Sequence, residues 1–170
     1  VAENKGWVNV GISADTAEFA VESIRQWWKR MGRKSYGKCK RLLITADCGG
    51  SNSYRVHLWK TELQKLANEL NLKITVCHYP PGTSKWDKIE HRMFFYNSSH
   101  WRSQPLDSYE AIVQLIGNTT ARTGLKVKTK LDKKKYETGK KVTDKEFEQI
   151  NLKNERVLQL SQWNYTICSH

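Results

Sequence analysis

The run Leu42-Leu43-Ile44-Thr45-Ala46-Asp47, followed by Cys48-Gly49-Gly50-Ser51-Asn52, marks this chain as an α/β protein. The apolar run is too short for a helix and suits a strand covered on both faces of a parallel sheet. After the glycine turn, a helix is expected from about Ser53 to Leu70. Val56, Trp59, Leu63, Leu66, Ala67 and Leu70 form its apolar stripe, and Arg55, Lys60, Gln64, Lys65 and Asn68 face outward. A second strand, Leu72 to His78, stops at Pro80-Pro81-Gly82. Strand, helix and strand together predict a right-handed parallel crossover. Both strands then end at one edge, where Asp47 meets the proline loop, and open α/β sheets bind ligands at that edge.

Upstream, Trp7 to Ile12 reads as a short strand. Asp15 is expected as N-cap of the next helix, with Glu18 completing a capping box. Ala17, Ala20, Val21, Ile24, Trp27, Trp28 and Met31 make one buried face, and Gly32 and Gly37 bracket the exit loop. Downstream, helices are expected from about Lys85 to Ser99 and from Ser108 to Gly117. Gly124 to Leu131 alternates as a strand, with Lys126, Lys128 and Lys130 on one side. Thr143 and Glu146 form a capping box for a short helix near Phe147. The last ten residues show no readable period, and no internal repeat is present.

The 170 residues carry a formal charge of +12. That balance points to a polyanionic partner, because lysine and arginine displace counterions condensed on phosphates. Between Ala121 and Lys141, nine basic residues meet two acidic ones. A solvated basic surface and a nucleic-acid contact both fit that stretch. No apolar run approaches the roughly 20 residues of a membrane span, which argues against a membrane partner. Cys39, Cys48, Cys77 and Cys168 lack zinc-site spacing, Cys77-His78 being the one weak hint of a metal ligand. Reduced thiols suit a cytoplasmic protein.

Two carboxylates stand out. Asp47 ends a buried strand ahead of two glycines, a way to present a carboxylate at a sheet edge; an Asx-turn or helix N-cap fits equally. At about 100° per residue, Glu90 falls on one arc with Trp86, Ile89, Met93 and Phe94. An inward carboxylate needs a cation or hydrogen bonds to offset its desolvation. A metal would provide this; a stripe-edge glutamate paired with an arginine is the alternative. Hard oxygen ligands suit Mg²⁺ or Mn²⁺.

Three stretches carry a family resemblance: GWVNVGISADTAEFAVESI from Gly6, LLITADCGGSNSYRVHLWK from Leu42 and CHYPPGTSKWDKIEHRMF from Cys77. They resemble the ISAzo-type, or Rhodopirellula-type, insertion-sequence transposases of the DDE superfamily, distant relatives of the mariner-like group. Trp86-Asp87-Lys88-Ile89-Glu90 is the most specific block. Cys48 and Asp87 depart from the glycine and asparagine usual there.

The resemblance implies an α/β, RNase H-like (retroviral integrase-like) catalytic core over residues 1–120, with a basic C-terminal extension over 121–170. It implies that Asp47 and Glu90 are catalytic and hold two Mg²⁺ (or Mn²⁺) ions. The first catalytic aspartate is expected upstream of Val1, so the core is incomplete at its N-terminus, marginal as a folded unit and inactive alone. The implied activity is DNA cleavage and strand transfer at insertion-sequence ends, by a homo-oligomer on double-stranded DNA in the bacterial cytoplasm, at the nucleoid. Lys85, Trp86, Lys88, Arg92 and Trp101 are candidates to hold DNA near the scissile phosphate. Lys126, Lys128 and Lys130 could track its backbone. A nuclease without strand transfer and a noncatalytic DNA-binding remnant are the competing readings.

Overall fold

The computed structural model describes residues 4–83, 107–117, 124–154 and 163–170. The chain divides into two compact units, Val1–Ala14 with Lys85–Lys135, and Asp15–Ser84 with Tyr136–His170.

The first unit contains β1 (Lys5–Gly11), a helix Tyr109–Gly117 and a strand Lys126–Asp132. The two strands pair in parallel, Lys5 opposite Lys126 and Gly11 opposite Asp132. Ile116, Leu125 and Val127 are buried together, with Val8, Val10 and Ile112 packed against them. Alternation in the second strand exposes Lys126 and Lys128 and buries Val127 between them, while Lys130 is half-buried.

The second unit begins with α1 (Ala17–Trp27), which passes through a π-turn, Trp28–Gly32, into α2 (Arg33–Tyr36). β2 (Arg41–Ala46) follows, then a 3-10 turn (Gly50–Asn52), α3 (His57–Leu70) and β3 (Lys73–His78). We number the first unit's helix and strand α4 and β4. The second unit is completed by α5 (Asp144–Glu148), β5 (Leu152–Asn154) and β6 (Asn164–Ile167). Its sheet has the order β2-β3-β6-β5, with β2 and β3 parallel, and β6 antiparallel to both β3 and β5. The expected α/β class and parallel pairing hold.

The core lies where α1 and α3 cover one sheet face. Val21, Leu63, Leu66, Ile74, Val76 and Ile167 are completely buried there. The heptad-like spacing of Leu63, Leu66 and Ala67 and the alternation of Ile74 and Val76 bring these side chains together.

Several details differ from the sequence reading. Thr16, not Asp15, caps α1: its hydroxyl accepts from the Phe19 amide at 3.2 Å. Asp15 instead accepts from the Ser51 hydroxyl at 2.9 Å, and Glu18 pairs with Lys140 at 2.8 Å. Gly32 sits inside the helical path rather than at its exit, and a Cβ there would lie 2.9 Å from the Trp28 ring. α3 starts four residues later than expected, since the 3-10 turn and an extended Ser53 precede it. Among the described residues β2 is an edge strand, with Leu43 64% exposed, so only one of its faces is covered. Gln64 is buried rather than outward, because it bridges the C-terminal strands: its oxygen accepts from the Asn151 amide and its nitrogen donates to the Cys168 carbonyl, each at 2.8 Å. Lys60 is half-buried, its ammonium 5.0 Å from the Tyr165 ring centre. The Thr143–Glu146 capping box forms as expected.

Candidate active site

Asp47 is the first residue past β2, and the parallel pairing continues one step beyond the strands, the Tyr79 amide donating to the Ala46 carbonyl at 2.7 Å. Alternation along β3 puts His78 on the buried face with Ile74 and Val76. One His78 ring nitrogen, Nδ1, lies 2.8 Å from the Asp47 backbone carbonyl. A carbonyl only accepts, so Nδ1 carries the proton and donates. Nε2 is therefore the acceptor for the Tyr165 hydroxyl at 3.2 Å, and that hydroxyl accepts from Trp59 Nε1 at 2.8 Å. This directed chain assigns the tautomer. It runs from α3 through β6 and β3 to the backbone of Asp47.

Burial holds His78 below its ordinary pKa of 6.5; the Asp47 carbonyl and carboxylate oppose this, and Lys60 reinforces it. The imidazole is neutral near pH 7, and both ring nitrogens are occupied. The hint of a metal ligand at Cys77-His78 is thereby removed for the histidine.

The Asp47 side chain is exposed. With its amide nitrogen facing the loop, Asn52 donates to Asp47 Oδ1 at 3.3 Å and to the Gly49 carbonyl at 2.8 Å. Gly50 turns the loop with φ +66°, a conformation that side-chain-bearing residues adopt at a cost. The Cys48 thiol donates to the Tyr79 carbonyl at 2.7 Å. Burial pushes that thiol above its ordinary pKa, the Asp47 charge adds to the rise and Arg55 opposes it. A protonated, engaged thiol is not a nucleophile.

Around Asp47 lies a cavity of about 440 Å³, walled by Cys48, Gly49, Ser53, Tyr54 and Arg55 and by the turn Tyr79–Gly82. Tyr54 packs edge-on against His78, ring centres 6.1 Å apart, and against Trp163 at 6.2 Å. Its hydroxyl accepts from Arg55 Nε at 2.8 Å, which steadies an exposed guanidinium on the cavity wall. A hard carboxylate beside a fixed cation can bind a divalent ion and a phosphate together.

Glu90, Lys85, Trp86, Lys88, Arg92 and Trp101 lie outside the described residues. Lys126, Lys128 and Lys130 stand on β4 of the first unit, whereas Asp47 is in the second. Among the described residues no group of three or more Asp, Glu, His or Cys converges as a metal site. Sequence reasoning missed Asn52, Tyr54, Arg55 and His78 as neighbours of Asp47. Only His78 left a trace, through its place in the alternation of β3.

A family model described as the Rhodopirellula transposase DDE domain matches residues 1–169. No curated protein and no solved structure matches the chain.

Proposed function

Because the chain belongs to the Rhodopirellula transposase DDE domain family, we propose that it serves metal-dependent cleavage and strand transfer at the ends of an insertion sequence, on an RNase H-like core. In this reading Asp47 and Glu90 are its catalytic carboxylates. The observation that carries it is the exposed Asp47 carboxylate at the carboxyl ends of two parallel strands, steadied by Asn52 and facing a cavity that Arg55 lines.

The donor chemistry fits a hard divalent cation: an accessible carboxylate oxygen, no sulfur ligand free to compete, and room for water. Two Mg²⁺ or Mn²⁺ ions held by Asp47 and Glu90 would activate the attacking oxygen and stabilise the leaving one. Arg55 holds the non-bridging oxygens of the phosphodiester. Tyr54, fixed against His78 and Trp163, offers a ring edge to the sugar-phosphate chain. His78 positions the Asp47 backbone and takes no proton. Each round breaks one P–O bond and makes one, first with water at the element end, then with the freed 3′-hydroxyl on target DNA. Work on paired ends implies a multimer on double-stranded DNA.

Terbium luminescence, sensitised by Tyr54 and Tyr79, reports the cation site directly. We expect a signal that Mg²⁺ or Mn²⁺ displaces and that Asp47→Asn and Glu90→Gln each weaken. With the DNA bordering its gene as substrate, the full-length gene product should give a joined product. Hydrolysis without joining would leave a plain nuclease. Salt-dependent DNA binding indifferent to Asp47→Ala and Glu90→Ala, with no cleavage in Mg²⁺ even by the full-length gene product, would reduce the protein to a noncatalytic remnant.

A further inference from the structure

At the opposite end of the same sheet lies a second concentration of positive charge. Residues 29–41 hold seven lysines and arginines and no acid. The π-turn and α2 carry this run away from buried Trp28, and every residue from Arg33 to Arg41 is exposed. A groove of about 380 Å³ runs between Lys29, Arg33, Cys39 and Lys40 on one side and the end of α3, Glu69 to Leu72, on the other. Glu69 is the acid in that groove, and Arg25 and Lys29 each bind it at 2.7 Å. Among the described residues no ion pair engages Arg33, Lys34, Lys38, Lys40 or Arg41.

The sheet register adds a cost. Arg41 stands directly opposite Lys73, and like charges directly opposite destabilise a strand pair. Both are exposed. An unrelieved concentration of cations destabilises the compact state through self-repulsion, and a polyanion lying across it removes that repulsion.

We propose that this surface binds the phosphate backbone of duplex DNA, at phosphates other than those held at Asp47. The cations stand at the amino ends of β2 and β3, and Asp47 at the carboxyl end. Six strand residues span roughly 17–20 Å, about twice the screening length of roughly 8–10 Å in physiological salt. The two surfaces therefore contact different phosphates. The polyanion being DNA rests on the proposed function. The groove holds no wide apolar floor for a lipid surface, Tyr36 being the one large exposed apolar side chain beside it. Contacts of this kind supply affinity and salt dependence without sequence choice.

Exposed Cys39 inside the groove gives a footprint on the unaltered protein. Alkylation by iodoacetamide, followed by mass spectrometry, should slow at least fivefold on adding a random-sequence duplex. The three exposed substitutions Lys34→Gln, Lys38→Gln and Lys40→Gln together should flatten the salt dependence of duplex binding by about 2–3 in log–log slope, at about 0.9 per phosphate contact. Unchanged Cys39 reactivity under saturating DNA would overturn the proposal. So would an unchanged slope, or Cys39 protection by anionic vesicles but not by DNA. Terbium binding at Asp47 without Cys39 protection would sink this surface and spare the carboxylate reading. Protection without cation binding at Asp47 would do the reverse.

Discussion

Replacing Tyr165 by phenylalanine removes one oxygen from the middle of the chain that supports Asp47. Tyr165 is 1% exposed, Trp59 2% and His78 5%, so no water replaces the missing hydroxyl. The Trp59 indole N–H loses its acceptor and His78 Nε2 loses its donor. Each stranded buried group costs about 1–3 kcal/mol, while the phenyl ring keeps its packing. The deleted hydroxyl no longer has to be desolvated, which returns part of the loss. The net expectation is about 2–4 kcal/mol, or a fall in Tm on the order of 10–20 °C for a unit of this size. Urea unfolding followed by tryptophan fluorescence measures it, with exposed Tyr109→Phe as a control expected within about 0.5 kcal/mol of the parent. A double-mutant cycle with Trp59→Phe should give a coupling of at least about 1 kcal/mol. Loss of less than about 0.5 kcal/mol in Tyr165→Phe, or a coupling near zero, would refute the hydrogen-bond chain.

His78 makes stability depend on pH in a definite direction. Its folded pKa lies below the ordinary 6.5 because burial disfavours the cation. Between those two values the unfolded chain binds more protons, so this contribution is complete above about pH 6.5 and is lost as pH falls below it. Urea titrations at pH 7.5, 6.5 and 5.5 should show a steeper loss in the parent than in His78→Gln; parallel curves would contradict it. Thr16→Ala should cost about 1 kcal/mol through loss of the α1 cap, with Asp15→Ala costing less; the reverse order would restore Asp15 as cap. Gly32→Ala should destabilise by about 1–3 kcal/mol, since the new methyl meets the Trp28 ring, and a neutral result in thermal melts would show that the ring moves aside.

Long periodic segments were legible in the sequence, and the short or shared ones were not. The apolar faces of α1 and α3 repeat over several turns, so Val21, Leu63 and Leu66 identified themselves as core. The crossover from β2 to β3 followed from two apolar runs around one amphipathic helix. Asp15 and Thr16 are adjacent good caps, and the choice between them fell to a tertiary contact, the Ser51 hydroxyl that engages Asp15. Gln64 looks like surface on its own helix; what buries it arrives from residues 151 and 168. β6 has four residues, too few to show a period. Of the neighbours of Asp47, Asn52, Tyr54 and Arg55 follow it closely in an irregular loop that shows no period, and His78 arrives from β3.

The placement of β6 bears on when this protein can fold. It lies between β3 and β5, and its Thr166 hydroxyl meets that of Thr75 across 91 residues at 2.9 Å. During synthesis the ribosome delivers α1, α3 and β3 long before residues 164–167 exist. Until those residues emerge, β3 waits with an unmet edge and Trp59 with an unmet N–H. Exposed apolar surface and unpaired strand edges of this kind make partly folded chains prone to aggregate. Completing the sheet, and with it the anchoring of Asp47, requires residues 164–167.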